Sequence, residues 1–470
     1  MRVVVIGSGI VGAGAAYHLS RRGVSVTVVD AGCQGGATQA GAGIVCPWVD
    51  HPEDDDWYRL TREGARAYPA LVEELGEDIG YAKVGALLVA EDPVDLEPVR
   101  TLLRRRHAGA PEMGDVVDVD TPTELFPPLS DNLSALLVPG AARVDGCSVR
   151  DALLRACVAR GAVVRTGIAA LTPDGQVLLH QADAANGTRR SPAVAGSQAD
   201  EGQSGGPAGT GAFAGPGDGD AFAGQVNEGG FADPAGGNAS AGRVDEGGIA
   251  GRADEGEYGS WRQAAPMAAP LATPLAAARA HAPAAPASME ALRLAGEGVP
   301  VEADMVIVAA GAWTGEVCRP LGVELPVFPR RGQILHATME GVDTAWWPII
   351  LPRVGPYLLG FPDSRVVVGA TVEDVGFSPR VTMGGLDEVI EAGLRVAPGL
   401  FNATVTEARV GLRPVYAPGR ALIGRLTDRV VVATGLSAYG LTAGPFTGEI
   451  AAALALGETP PIDITPYAPA

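Results

Sequence analysis

The chain has 470 residues and a formal net charge of −20, from 35 Lys and Arg against 55 Asp and Glu. That length carries two domains and a large apolar core, while the acidity excludes a nucleic-acid-binding surface or a patch for anionic membranes, both of which need clustered cations. Cys33, Cys46, Cys147, Cys157 and Cys318 are odd in number, widely spaced and lack a C-x-x-C, so neither a disulfide framework nor a zinc site is expected, and the setting expected is the reducing cytoplasm.

The opening MRVVVIGSGIVGAGAAYHL is apolar enough to imitate a signal peptide. Its glycines recur at fixed offsets, however, no cleavage-type segment follows, and it runs directly into a second strand. No long apolar run is free of breakers, so no integral membrane segment is expected. RVVVI is a β-branched run, GAGAAYHLSRRG is helix-like and closes at Gly23, and VSVTVVD is again β-branched and alternating. Together they make one βαβ unit.

Between that strand and helix stand Gly7, Gly9 and Gly12 in G-x-G-x-x-G spacing, and Asp30 ends the second strand about twenty residues on, where a ribose hydroxyl is accepted. Gly7 permits the tight turn, Gly9 lets backbone N–H groups approach a pyrophosphate at a helix N-terminus, and Gly12 lets helix and sheet pack closely. The acid disfavours a 2′-phosphate, so NADP is not expected; NAD and FAD both remain open from this motif. GGATQAGAGIV, residues 35–45, follows the acid and offers many backbone donors with few side chains to obstruct a flat ligand. One dinucleotide needs one such loop, so the second favours a larger cofactor. The alternative is a flexible linker, against which the run into IVCPW argues.

Residues 57–75 carry apolar and aromatic positions at helical spacing, an amphipathic helix assigned to a second structural layer. VDGCSVRDALLRACVARGAVVRTG reads as a helix over about 148–160 with Ser148 as its cap, a stop at Gly161 and a strand from Val163. Over 181–287 the composition collapses to Gly, Ala, Ser, Pro and Asp, with quasi-repeats such as RVDEGGIAG and RADEGEYGS. So few large apolar residues cannot offset the entropy of ordering, and disorder is expected there. MEALRLAGEGVPVEADMVIVAAGAW then gives a strand, a turn around 296–298, a short strand and a buried strand at 305–309. The low-complexity stretch is therefore expected to be an outsized loop in a β-hairpin.

That buried strand ends in Ala309, Ala310, Gly311 and Ala312, small residues that admit a ligand or merely a neighbouring backbone. Over 328–371 the pattern is several short strands (GQILHAT, PYLLGF, RVVVGAT), followed by a helix over about 386–396. An antiparallel sheet with a helix beside it is expected. RVVVATG and PFTGEIAAALAL return the chain to the α/β domain, and Gly435, Gly440 and Gly444 sit at the start of the last helix, whose N–H groups suit negative charge developing on a ring. No G-x-S-x-G elbow between a strand and a helix, no H-E-x-x-H and no metal-spaced cluster is present, the one G-x-S-x-G (202–206) falling in the low-complexity stretch; no metal is expected, and His18 and His336 read as structural.

These four clusters, in this order, resemble the FAD-dependent D-amino-acid oxidase family, nearest to its glycine oxidases, with D-amino-acid dehydrogenases close by. The matching stretches are VVVIGSGIVGAGAAYHL with Asp30, ATQAGAGI, VIVAAGAWTG, RRGQIL, RVVVGAT, VGLRPV with LIGR, and TGLSAYGLTAGPFTG. They span nearly the whole chain except the insert. The resemblance implies an α/β fold class. Its Rossmann-like FAD-binding domain, a parallel sheet plus β-meander, is expected from 1–48, 142–180, 288–325 and 405–470. A second, α+β substrate domain on an antiparallel sheet is expected from 49–141 and 326–404.

The resemblance also implies FAD as cofactor, held by Gly7, Gly9, Ile10, Val11, Gly12, Asp30 and Ala31 from the first βαβ unit. Thr38, Ala40, Gly41, Gly43 and Ile44 are implied from the second glycine cluster, Ile168, Ala310 and Gly311 from the middle of the chain. Gly435, Ala438, Tyr439, Gly440, Leu441 and Thr442 are implied near the end. Arg413 matches the family's arginine that binds the substrate carboxylate through a two-pronged guanidinium, and Tyr357 matches a tyrosine that approaches substrate. From the residues alone, Arg413 could equally be a structural ion pair and Tyr357 sheet packing. Two positions depart from the pattern: Ala438 stands where glycine oxidase has a second substrate arginine, and Pro418 where the family often has aspartate.

The activity implied is FAD-dependent oxidation of the C–N bond of a D-amino acid or glycine-like substrate. Hydride transfer to flavin gives an imino acid that hydrolyses to an oxo acid and ammonia. The alternatives are a sarcosine-type secondary amine oxidase and a non-catalytic flavoprotein subunit. The partners expected are a small amino acid or amine, with oxygen or a quinone as electron acceptor and no nucleic acid; homo-oligomerisation is left open.

Overall fold

The computed structural model describes residues 1–182 and 294–469. The insert expected over 181–287, and its disorder, therefore lie outside the described residues from 183 onward. The β-branched run Arg2–Ile6 sits at the middle of a six-stranded sheet in the order Leu422–Arg425, Val430–Thr434, Met305–Val308, Arg2–Ile6, Ser25–Asp30, Val163–Thr166. All neighbours are parallel except the first pair. Continuous apolar strands such as VVVI and MVIV suit a sheet buried on both faces, and Val5, Ile307 and Val431 are completely buried.

Helices Ile10–Arg21 and Gly440–Leu456 pack on this sheet, where Ala15, Ala16 and Leu19 meet Ala451, Ala452 and Ala455. The last helix starts five residues earlier than PFTGEIAAALAL suggests, and Pro445 lies inside it. A proline there removes the N–H that would bond the carbonyl four residues back. That carbonyl, Leu441 O, instead accepts the Tyr68 hydroxyl. Tyr68 comes from the amphipathic helix Asp55–Leu75, capped by Asp54, which also sets Trp57 and Leu60 against Ala443, Phe446 and Ile450.

Three antiparallel strands, Ile168–Leu171, Val177–Ala182 and Leu294–Val301, form the meander. The turn expected around 296–298 is absent, because the strand runs through it with one register shift opposite Leu179 and Gln181. Gly298 there makes room for a side chain: a Cβ on it would stand 2.6 Å from His180 Nε2.

The largest sheet has eight strands in the order Thr404–Tyr416, Val327–Thr338, Arg365–Gly369, Tyr357–Gly360, Ile349–Pro352, Ala86–Ala90, Ser134–Val138, Val117–Val119. It is antiparallel except where Ile349–Pro352 runs parallel to Ala86–Ala90. GQILHAT belongs to a strand of 12 residues. Helix Met383–Val396 begins three residues before the expected start and packs Val389 and Val396 beneath the sheet. Among the described residues no helix is long and apolar enough to cross a membrane.

Helix Gly146–Val158 begins two residues before the expected Ser148, and its cap is Asp145, whose carboxylate accepts from Cys147 N–H at 3.1 Å and Ser148 N–H at 3.0 Å. Burial would raise this carboxyl, but the Ser148 N–H and the Arg365 guanidinium outweigh it and hold it below its ordinary value. Asp145→Ala is expected to lower stability by about 1–2 kcal/mol, against less than about 0.5 for Ser148→Ala. Because the folded-state pKa is depressed, the Asp145 increment is full at neutral pH and shrinks as pH falls below the ordinary 3.8. Urea unfolding of both variants at two pH values checks the order and the sign.

Candidate active site

Gly7 turns the chain at φ +101°, and its N–H donates to Val29 O at 2.8 Å. A Cβ on Gly7 would lie 2.4 Å from Ala309 O, and one on Gly12 would lie 1.9 Å from Gly7 O. The turn, the helix and the strand end at Ala309 are thus in direct backbone contact. Gly9 is different: it starts the helix in an extended conformation with no side-chain cap, and the only atom near its ideal Cβ is Thr38 Oγ1 at 3.4 Å. Gly9 itself brings no side chain to this helix N-terminus.

Thr38 joins the two glycine clusters that the sequence shows separately, because its Oγ1 accepts the Ile10 N–H at 3.0 Å. Asp30 accepts from the Ser8 N–H and Oγ, both at 2.7 Å, and from Gly32 N–H at 2.7 Å. Ser8, inside the motif, was not singled out in the sequence. Val11 lies on the first helix and Ala31 directly after Asp30, both half-buried. Ile168 is buried next to Gly167, whose N–H donates to Asp30 O at 2.9 Å.

The other expected residues gather around the same loops. Gly41 lies against Leu441, Gly43 against Val144 O, and Thr442 Oγ1 donates to Ile44 O at 2.9 Å. Ala310 and Gly311 follow the strand that touches Gly7, and Gly311 O accepts from Thr434 Oγ1 at 3.0 Å, one residue before Gly435. Ala438 sits in the turn Ser437–Tyr439 ahead of Gly440. Tyr439 is the exception, because its side chain turns to Asp50, His51 and Trp57. Its own N–H donates to Leu436 O at 2.8 Å.

Strand Thr404–Tyr416 crosses these loops. Leu412 N–H donates to Gly35 O at 2.8 Å, and a Cβ on Gly411 would stand 2.9 Å from Ala40 Cβ. The next residue is Arg413. Its Nη1 donates to Arg331 O at 3.2 Å and Thr371 O at 3.1 Å. Among the described residues no carboxylate lies within ion-pair distance of it. The residue is half-buried, and desolvation lowers its pKa.

Tyr357 lies three strands away, and its hydroxyl reaches over Gly369 to face Arg413. Burial raises the phenol and the guanidinium pulls it back only partly, so it stays a neutral donor. Glycines clear the floor between the two: a Cβ on Gly332 would stand 2.3 to 2.5 Å from the Arg413 guanidinium. Gly332 was missed in the sequence, although a glycine inside a strand pattern is itself a sign of close approach.

The ion pair weighed for Arg413 is found instead at Arg331, on the adjacent strand and the opposite face of the sheet. Arg331 is buried and bridges to Glu373, which also accepts from Gln333 Nε2 at 2.8 Å and Thr371 Oγ1 at 2.7 Å. That network fixes Thr371, whose carbonyl holds Arg413.

The family described as FAD dependent oxidoreductase (DAO) matches residues 2–195 and 276–454. The chain belongs to it. This FAD-dependent oxidoreductase is similar to the uncharacterized oxidoreductase YurR of Bacillus subtilis (strain 168), 33% identical over 99% of this chain and 98% of that protein. It is also similar in structure to iminodiacetate oxidase (IdaA) from Chelativorans sp. BNC1, with a TM-score of 0.73, 34% identity and coverage of 100% and 99%. Glycine oxidase of Pseudomonas aeruginosa is 32% identical over 36% of this chain and 46% of its own.

The residues present fit FAD. The helix start at Gly9, where no side chain fills the Cβ position and only Thr38 reaches the first N–H, suits a diphosphate, and Asp30, held by Ser8 and Gly32, suits a ribose. Gly12→Ala is expected to damage the fold, because its Cβ has no space; Gly9→Ala is expected to keep the unfolding temperature of the flavin-free protein while weakening FAD binding at least about tenfold. Thermal unfolding of apoprotein and titration with FAD separate the two.

Proposed function

We propose that this oxidoreductase oxidises the C–N bond of an N-substituted glycine, a secondary amine bearing an α-carboxylate. The observation that carries this reading is Arg413: a half-buried guanidinium anchored by main-chain carbonyls, facing a neutral tyrosine and adjoining the glycine loops. A buried guanidinium without a counter-ion is costly, and a carboxylate matches its paired donors. The likeness to iminodiacetate oxidase over the full length supports a secondary amine, whereas the likeness to glycine oxidase in sequence covers about a third of the chain.

Arg413 grips the α-carboxylate with two N–H groups, and the Tyr357 hydroxyl donates to the same carboxylate. Gly332 and Gly369 leave the space in which those donors converge. Held at one end, the substrate presents its α-carbon and nitrogen in a fixed orientation, and that positioning is the protein's main contribution. FAD, when bound, supplies the two-electron acceptor: the α-carbon gives up a hydride and the nitrogen a proton, and water then splits the C=N bond into an oxo acid and an amine. No side-chain acid or base is required if the amine reacts neutral.

Anaerobic mixing of the flavin-loaded protein with sarcosine, iminodiacetate, glycine and D-alanine tests the reading. The N-substituted glycines are expected to bleach the flavin fastest, and a protein bleached by none is a non-catalytic subunit. Arg413→Ala is expected to lower kcat/KM by the equivalent of about 2–5 kcal/mol of transition-state stabilisation, mostly through KM, with flavin content unchanged. An unchanged KM would sink the reading.

A further inference from the structure

A second arginine shares the Arg413 face of the sheet. Arg330 is paired in register with Arg413, one strand over, so the two side chains leave the same face with Cβ atoms about 5 Å apart. Gly332 and Gly411 continue that face, and Gly411 is where Ala40 of the glycine loop meets the strand. Arg330 is thus on the side of the sheet that adjoins the flavin loops. Arg331, between them, points the other way and is already neutralised by Glu373.

Like charges directly opposite each other on a ladder are destabilising, and Arg330 does depress the Arg413 pKa. Arg330 has a carboxylate partner of its own, Asp374, which it holds through Nε at 2.8 Å and Nη2 at 3.1 Å, whereas Arg413 has no carboxylate within ion-pair distance among the described residues. The Arg330 side chain is only 18% exposed, whereas Asp374 is 61% exposed. An exposed carboxylate gains little from such a pair and loses little by returning to water. Asp374 is therefore a weakly held occupant of a better-buried two-pronged cation.

We propose that Arg330 is a second carboxylate contact, and that the preferred substrate is a short secondary amine carrying one carboxylate on each arm. The inference rests on Arg413 holding the first carboxylate, as proposed above. The second carboxylate exchanges with Asp374 on Arg330, so a dianion neutralises both arginines, whereas a monocarboxylate leaves Arg330 with Asp374. No covalent step is involved; Arg330 sets which substrate is taken.

The test compares iminodiacetate, with two carboxylates, and sarcosine, with one, as a ratio of kcat/KM values. Arg330→Leu is expected to lower that ratio at least about tenfold, and Arg330→Lys to restore part of it. Asp374→Asn is expected to raise the ratio by lowering KM for iminodiacetate, an effect that a merely structural ion pair would not produce. Flavin content and unfolding temperature check that each variant is folded; if Arg330→Leu is not, Asp374→Asn decides alone. A wild type that oxidises both compounds, with a ratio unmoved by Arg330→Leu or lowered by Asp374→Asn, overturns this assignment and leaves the proposed function standing. A wild type whose flavin is reduced by neither overturns the proposed function and this assignment together.

Discussion

One hydrogen bond, from Leu412 N–H to Gly35 O at 2.8 Å, carries the geometry of the site. It ties the loop after the second strand of the six-stranded sheet to an edge strand of the eight-stranded sheet, and Gly36 continues the contact as a parallel bridge to Leu412. Side chains alternate along a strand, so fixing Leu412 also fixes which face Gly411 and Arg413 present. Gly411 then lets Ala40 approach, and Arg409 on the same face donates to Gln39 O at 3.3 Å. The glycine cluster and the arginine are held together by backbone, whose position no rotamer change can alter.

The treatment of charge on the two strands at this edge divides structural from available cations. Arg331 and Arg413 lie on neighbouring strands, both poorly hydrated. Arg331 has a full counter-ion in Glu373, itself satisfied by Gln333 and Thr371. Arg413 has only carbonyl dipoles and a phenol. The difference matters because an ion already paired inside a protein offers little to a ligand, while one held by neutral acceptors keeps its field. The Glu373 network also makes the Thr371 carbonyl rigid, so the unpaired cation is placed by the paired one.

The sequence shows the parts of this site whose cause is local. A glycine needed for a tight turn, an acid at the end of a β-branched strand, and an apolar run buried on both faces leave periodic marks, and Gly7, Gly9, Gly12 and Asp30 are legible for that reason. Arg413 and Tyr357 were legible only through the family resemblance, since a lone arginine in a strand reads equally as an ion pair. What depends on strand pairing was hidden: Gly332 matters because it sits beside Arg413, and Thr371 because the Glu373 network presents its carbonyl. Pro445 concealed the first turn of the last helix, because the hydroxyl that repairs the break comes from Tyr68, hundreds of residues away. Asp145 and Ser148 are both good caps, and only the path of the preceding chain chooses between them. The low-complexity stretch after residue 182 had the clearest compositional signature, and the family match passes over 196–275 within it.

Tyr439 shows how a contact expected from sequence can act through a different part of the residue. Its hydroxyl is committed to the Asp50 carboxylate, and its ring stands edge-on to His51 and Trp57. Burial and the neighbouring carboxylate raise the phenol far above its usual range, so it remains a donor to Asp50. Arg106 secures the other side of this cluster by donating to the carbonyls of Trp48, Asp50 and His51. The turn Ser437–Tyr439 is thereby anchored from behind, and the helix beginning at Gly440 has no side-chain cap. The first N–H groups of an uncapped helix have no intrahelical partner. An anchor that engages the side chain of Tyr439 and leaves those backbone donors free is the arrangement a loop needs if it is to offer N–H groups to a flat, electron-accepting ring.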